Sequence, residues 1–365
     1  NTWALRKTLQ YGHFLPMIRT DITIFMEECM KKTIVALCVV FLIASVGLFA
    51  QASAEKQIVL KLSEVHAEGY PTTMADYEFA RLVEERTNGR IKIEVYSGGT
   101  LYGQETGAVE ALQVGDLAFA RVSTSPVASY VDALNAIQMP YLYNNGEHMW
   151  AVLNGSVGQN LLADVEKSGS GLIGLCYYDA GARSFYTTKP VRSVADMAGL
   201  KIRLQNNQMM VRMVELLGGV GVTGIGPNDV YSAITQGVID GAENNWPTYQ
   251  NMGDYEAAKF YTLDSHTRVP EILLGSVAAL KNVSEADMAI IRQAAKDTQD
   301  FEIAAWAQKE KEAEAIVRAA GTTVIDLTPE AFAEFQTRMA PLYQEFGSKY
   351  ADIIAEIQEI GKAYR

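Results

Sequence analysis

Arg203 stands in the run Gly199-Leu200-Lys201-Ile202-Arg203-Leu204-Gln205-Asn206. Read as a strand with a period of two, Leu200, Ile202 and Leu204 share one face and Lys201 and Arg203 the other. Arg203 then lies at the carboxyl end of its strand, where open α/β sheets receive ligands. A guanidinium there can meet a carboxylate through two parallel hydrogen bonds, a fork geometry that lysine lacks. Arg183, in Asp179-Ala180-Gly181-Ala182-Arg183-Ser184-Phe185-Tyr186, occupies a similar apolar, strand-like run. Each arginine has a second use, a structural pairing with one of the chain's many acidic groups, and spacing does not decide between the two. Asp240-Gly241-Ala242-Glu243-Asn244-Asn245-Trp246 reads as a turn of polar amides after a helix. An Asn there can donate to and accept from a hydroxylated or carboxylated ligand, or simply cap a turn.

Catalytic patterns are absent from the sequence after residue 54. Its histidines, His66, His148 and His266, have no metal-ligand spacing, and neither H-E-x-x-H nor C-x-x-C occurs. There is no G-x-S-x-G elbow, no Walker A sequence and no G-x-G-x-x-G after a strand. The glycine-rich stretch 218–224 follows a helix and reads as a helix stop with turns. No metal site and no cofactor are expected. Acidic residues are abundant, but no spacing singles out a hydrolytic pair. Net charge is −12, so a nucleic-acid partner is not expected, because phosphate binding needs a basic footprint.

These side chains need a scaffold, and the 365 residues allow two or three domain-sized units with a large core. Residues 1–54 are set apart. Met30-Lys31-Lys32, the apolar run Thr33 to Phe49 and Ala52-Ser53-Ala54 read as a secretory leader starting at Met30 and cleaved after Ala54; a membrane anchor is the alternative. Of the three cysteines only Cys176 follows that leader, so no intramolecular disulfide is expected there. Cys176 sits in an apolar run and reads as a small buried hydrophobe. Beyond Ala54 strand and helix patterns alternate, which argues α/β. Strands are expected over 58–62, 90–96, 117–122, 171–178, 200–204, 220–222 and 323–325, and a long one over Glu271 to Leu280. Helices are expected over 71–87, 105–114, 146–165, 206–217, 228–239, from Ser284 to about Ala320, and within 330–363. No Pro/Gly/Ser-rich linker divides the chain, so two lobes would have to be interleaved.

An ordered set of residues carries a family resemblance. It comprises Gly181-Ala-Arg183-Ser-Phe-Tyr, then Val194-Ala-Asp196-Met-Ala-Gly199-Leu-Lys201-Ile-Arg203. It ends with Pro227-x-x-Val230-Tyr231-x-Ala233-x-x-Gln236-Gly237-x-x-Asp240-Gly241-x-Glu243-Asn244. This set resembles the solute-binding subunits of tripartite ATP-independent periplasmic (TRAP) transporters. The resemblance implies a two-lobed periplasmic binding protein with interleaved lobes, a hinge-crossing long strand (Glu271–Leu280) and a long hinge helix. The lobes would be 55–180 with 270–308, and 181–269 with 309–365. It implies a small organic-acid ligand passed to TRAP membrane permease subunits; the polar set His66, Glu68, Gln104 and Asn244, which could read hydroxyls, puts a sugar acid such as a uronate or aldonate first and a C4-dicarboxylate second. A secreted lyase or hydrolase acting on a carboxylated sugar is the rival from another class. Arg203 matches the family's carboxylate clamp, Arg183 its second arginine and Asn244 its amide contact. In the other lobe, His66 and Glu68, in the loop after the first strand, and Gln104 could read ligand hydroxyls. Arg121 could meet a second carboxylate or a set of hydroxyls. Tyr178 and Trp246 are candidate walls for a sugar ring, or else core.

Overall fold

The computed structural model describes Met26, Met30 and residues 57–365. The expected leader therefore lies outside the described residues, Met30 apart. The strands, in chain order, are β1 Ile58–Ser63, β2 Ile91–Tyr96, β3 Phe119–Ser123, β4 Leu172–Tyr178, β5 Arg183–Thr187, β6 Lys201–Arg203, β7 Val220–Val222, β8 Gly241–Asn244, β9 Phe260–Thr267, β10 Glu271–Ser276 and β11 Thr323–Ile325. They form two sheets, ordered β2-β1-β3-β10-β4 and β11-β9-β5-β8-β6-β7. In the first, β1 is parallel to β2 and β3, and β10 runs antiparallel between β3 and β4. In the second, β6 is parallel to β7 and β8, while β5 is antiparallel to β8 and β9.

Local sequence explains the layers. Every residue of β4 is buried, because the helix Ser156–Lys167 and the long helix Glu285–Ala319 both pack on this strand. A strand covered on two faces reads as a continuous apolar run, as Leu172 to Tyr178 does. Cys176 lies within it, 2% exposed. The long helix starts where Ser284 Oγ accepts the Asp287 amide at 3.1 Å, with Glu285 and Asp287 placing negative charge in the first turn. It packs against the helix Pro71–Arg86 beside the first sheet and against Trp246–Asn251 beside the second.

Several expected boundaries move. The strand expected over 271–280 ends at Ser276, whose Oγ accepts the Ala279 amide and opens the short helix Val277–Leu280. The chain crosses between sheets at 179–182 and returns at 268–270, so β9 and β10 together make the extended crossing. The helix expected over 146–165 is two, Gly146–Asn154 and Ser156–Lys167, parted by an extended Gly155. The stretch 241–244, expected as a turn, is the interior strand β8. The strand β9 had no expectation at all, because Asp264, Ser265 and His266 interrupt its apolar pattern. There the register against β5 shifts, and Ser265 takes a φ of 44°, a bulge that re-aims its neighbours. His148 is structural: its Nε2 lies 2.8 Å from the Ile357 carbonyl and ties the C-terminal helix to Gly146–Asn154.

Glycine at position 241 is a steric requirement. A Cβ there would sit 2.2 Å from the Tyr186 carbonyl oxygen and 2.8 Å from Thr187 Cα, both backbone atoms of the paired strand β5. Gly241→Ala should therefore cost about 1–3 kcal/mol of stability in urea titration. An unchanged midpoint would mean that β5 and β8 can spread without penalty.

Candidate functional site

The two sheets present their ligand-side strand ends to one cleft with an atom-free volume of about 600 Å³. From the first sheet come the loop after β1, Ser123 at the end of β3, and Glu271 at the start of the antiparallel β10. From the second come Arg203 at the end of β6, Arg183 at the start of the antiparallel β5, and Asn244 at the end of β8. This is the placement expected for ligands of α/β sheets.

Arg203 is 7% exposed and lines the cleft. Its Nε donates to the Ile225 carbonyl at 2.9 Å. Among the described residues no carboxylate pairs with it, and its two terminal nitrogens have no protein acceptor. Burial lowers its pKa from the ordinary arginine value, with Tyr186 and Glu243 pulling the other way. It stays protonated, as arginine does in proteins. A desolvated cation with its fork open toward a cleft calls for an anion with two acceptor oxygens.

Arg183 also lines the cleft, but its fork is already engaged. Nε and Nη2 donate to the two Glu243 oxygens at 2.5 and 2.8 Å, Nη2 donates to the Glu243 carbonyl, and Nη1 donates to Asn244 Oδ1 at 2.8 Å. In this arrangement Arg183 orders the floor beside Arg203. Asn244 Oδ1 also accepts the Asn245 amide at 2.9 Å, which leaves Nδ2 as the donor for the cleft.

The first-sheet residues divide. His66 lines the cleft, stacked on Tyr70 with ring centroids 3.9 Å apart. Its Nδ1 lies 2.9 Å from Glu64 Oε1 and 2.8 Å from Arg121 Nη2, so Nε2 is the ring atom left for a ligand. Gln104 lines the exposed mouth, where its Nε2 donates to the Gly224 carbonyl at 3.2 Å. Glu68 is exposed and outside the cleft, within 3.4 Å of the Tyr77 hydroxyl, which corrects its expected role. Arg121 is corrected too. It is fully buried, outside the cleft lining, and four of its five donors go to Glu64, Glu105 and Glu271. The fifth, on Nη2, faces His66 Nδ1 at 2.8 Å, so no donor remains for a ligand carboxylate. Tyr178 and Trp246 are core rather than cleft walls; Trp246 stacks on Tyr261 at 3.7 Å.

Glu105, Ser123, Gln205, Thr248 and Glu271 also line the cleft, and only Gln205 carried a signal that sequence reasoning could have used. Ser123 Oγ bonds Glu271 at 2.8 Å, and Gln205 Nε2 donates to Ser123 Oγ at 2.7 Å. Gln205, two residues beyond Arg203, was the one detectable signal, a polar side chain continuing past a strand end.

Comparison with known proteins follows from this geometry. Residues 62–349 match the family model described as bacterial extracellular solute-binding protein, family 7. A solute-binding protein of Chromohalobacter salexigens is 31% identical over 348 residues, covering 95% of this chain and 99% of the relative. A TRAP periplasmic solute binding protein from Pseudomonas putida F1, solved with bound D-glucuronate, superposes with a TM-score of 0.80 at 32% identity, over 82% of this chain and 97% of that one. One from a Bradyrhizobium species, in complex with D-galacturonate, gives 0.79 at 35% identity, over 82% and 99%.

The support beneath Arg183 titrates in a defined window. Burial raises the Glu243 carboxyl, but Arg183 and His266 outweigh it and hold it down to about 2. Burial lowers His266, but Asp264, 2.8 Å from Nδ1, and Glu243, 3.3 Å from Nε2, push it up to about 9 from 6.5. A raised histidine stabilises fully below pH 6.5, and that contribution fades as pH climbs to about 9. The carboxylate's contribution is lost only as pH falls toward about 2. Stability should thus drop by up to roughly 3 kcal/mol between pH 6.5 and 9, and His266→Gln should flatten that slope. Denaturant titrations of both proteins across this range check it; superimposable profiles would refute the assignment.

Proposed function

We propose, from the premise that this chain belongs to bacterial extracellular solute-binding protein family 7, the receptors of TRAP transporters, that it captures a uronate by its carboxylate and hands it to a TRAP permease. The carrying observation is Arg203: buried, positively charged and with its fork unpaired at the cleft. A sugar acid answers that charge with one group and offers hydroxyls to Asn244 Nδ2 and His66 Nε2. The neighbours solved with D-glucuronate and D-galacturonate support the same ligand class.

In this reading 55–180 with 270–308 forms one lobe and 181–269 with 309–365 the other. The crossings at 179–182 and 268–270 and the long helix let them close on the sugar as hinged bodies. The leader ending at Ala54 directs the chain to the periplasm. The ligand leaves chemically unchanged; uronate recovered intact after incubation separates this reading from a lyase or hydrolase.

Truncating one partner of a buried ion pair costs about 3–5 kcal/mol. Arg203→Ala should therefore weaken D-glucuronate binding by roughly 10²–10⁴ in calorimetry. Arg203→Lys should bind poorly as well, since it keeps the charge and loses the fork. Binding by the lysine variant equal to wild type would sink the clamp. Wild type with saturating D-glucuronate should gain about 2.7 kcal/mol of stability at 100 times the Kd.

A further inference from the structure

The two walls of the cleft differ in charge. The second-sheet wall offers Arg203 unpaired. On the first-sheet wall three carboxylates, Glu64, Glu105 and Glu271, share the single guanidinium of Arg121. Glu105 and Glu271 line the cleft; Glu64 lies behind them with no exposed side-chain surface. That wall is therefore an acceptor surface with excess negative charge, braced by Ser123 and by Gln205 reaching over from the Arg203 strand.

Resting on the reading of Arg203 as the carboxylate grip, we propose that Glu271 and Glu105 form a hydroxyl-reading wall that selects ligands with one carboxylate over ligands with two. A carboxylate accepts hydrogen bonds and donates none, so a sugar hydroxyl satisfies it and a second ligand carboxylate repels it. Arg121 cannot relieve that repulsion, because its donors are spent on the protein's own carboxylates and on His66. Burial already pushes the Glu271 carboxyl up, against the pull of Arg121 and with the push of Glu105, and another anion would add to that repulsion.

D-Glucuronate and D-glucarate, one and two carboxylates on the same carbon chain, are the probes, titrated by calorimetry into wild type and Glu271→Gln. Wild type should prefer glucuronate by about 100-fold or more, in line with a like-charge cost of several kcal/mol. The variant should lose about 10-fold or more for glucuronate, and its preference should narrow at least tenfold, since glutamine accepts less and repels nothing. A merely structural defect would weaken both ligands alike and leave the preference intact. The proposal falls if the variant binds glucuronate within twofold of wild type, or if glucarate, including glucarate that stays undetectable, does not improve relative to glucuronate. Glu105→Gln, at a more exposed position, carries the same test should Glu271→Gln fail to fold. Wild type that binds neither D-glucuronate nor D-galacturonate would instead overturn the function itself, a separate result.

Discussion

Desolvating a guanidinium is costly, and the protein meets that cost in three different ways in and behind one cleft. Arg121 is surrounded by carboxylates until its donors are spent. Arg183 is answered bidentately by Glu243, with Asn244 completing the contact. Arg203 receives a single backbone carbonyl. The first two are self-sufficient and stiffen the walls; the third keeps its fork open, and on the proposed function a ligand carboxylate completes it. On the proposed function, binding and charge satisfaction at Arg203 are the same event.

The stiff pairs matter because a fork recognises a carboxylate only when its plane is fixed. Arg203 ends β6, a short strand held between β7 and β8, and β8 is held in turn by β5. Arg183 and Glu243 sit on those adjacent strands, with His266 and Asp264 behind them on β9. Asp264 and His266, two residues apart on β9, both serve this buried stack. Rigid packing and electrostatics here are one arrangement rather than two.

Much of the scaffold was legible in the sequence, because alternation, caps and glycine stops are local signals. The run 200–204 announced Arg203 by its period and by its place at a strand end. Ser284 announced its helix by capping chemistry. What stayed hidden depended on partners far along the chain. Arg121 gave no sign that Glu64 and Glu271 would use up its donors, since those groups lie 57 and 150 residues away. Glu64 and Glu68 look alike in the loop after β1. Glu64 turns inward because its Oε1 caps the His66 amide at 2.7 Å, while Glu68 faces solvent. The polar residues of β8 and β9 hid those strands because a buried ion network, not an apolar face, fills their surroundings.

The order β2-β1-β3-β10-β4 has a kinetic corollary. β3 and β4 do not touch as neighbours; β10, encoded after nearly all of the second sheet, is inserted between them. β3 and β4 keep open edges until the chain has folded back as far as Ser276. Such late, long-range pairing slows folding and leaves nascent chains prone to mispairing. A fragment ending at β4 would lack β10, the strand that joins β3 to β4.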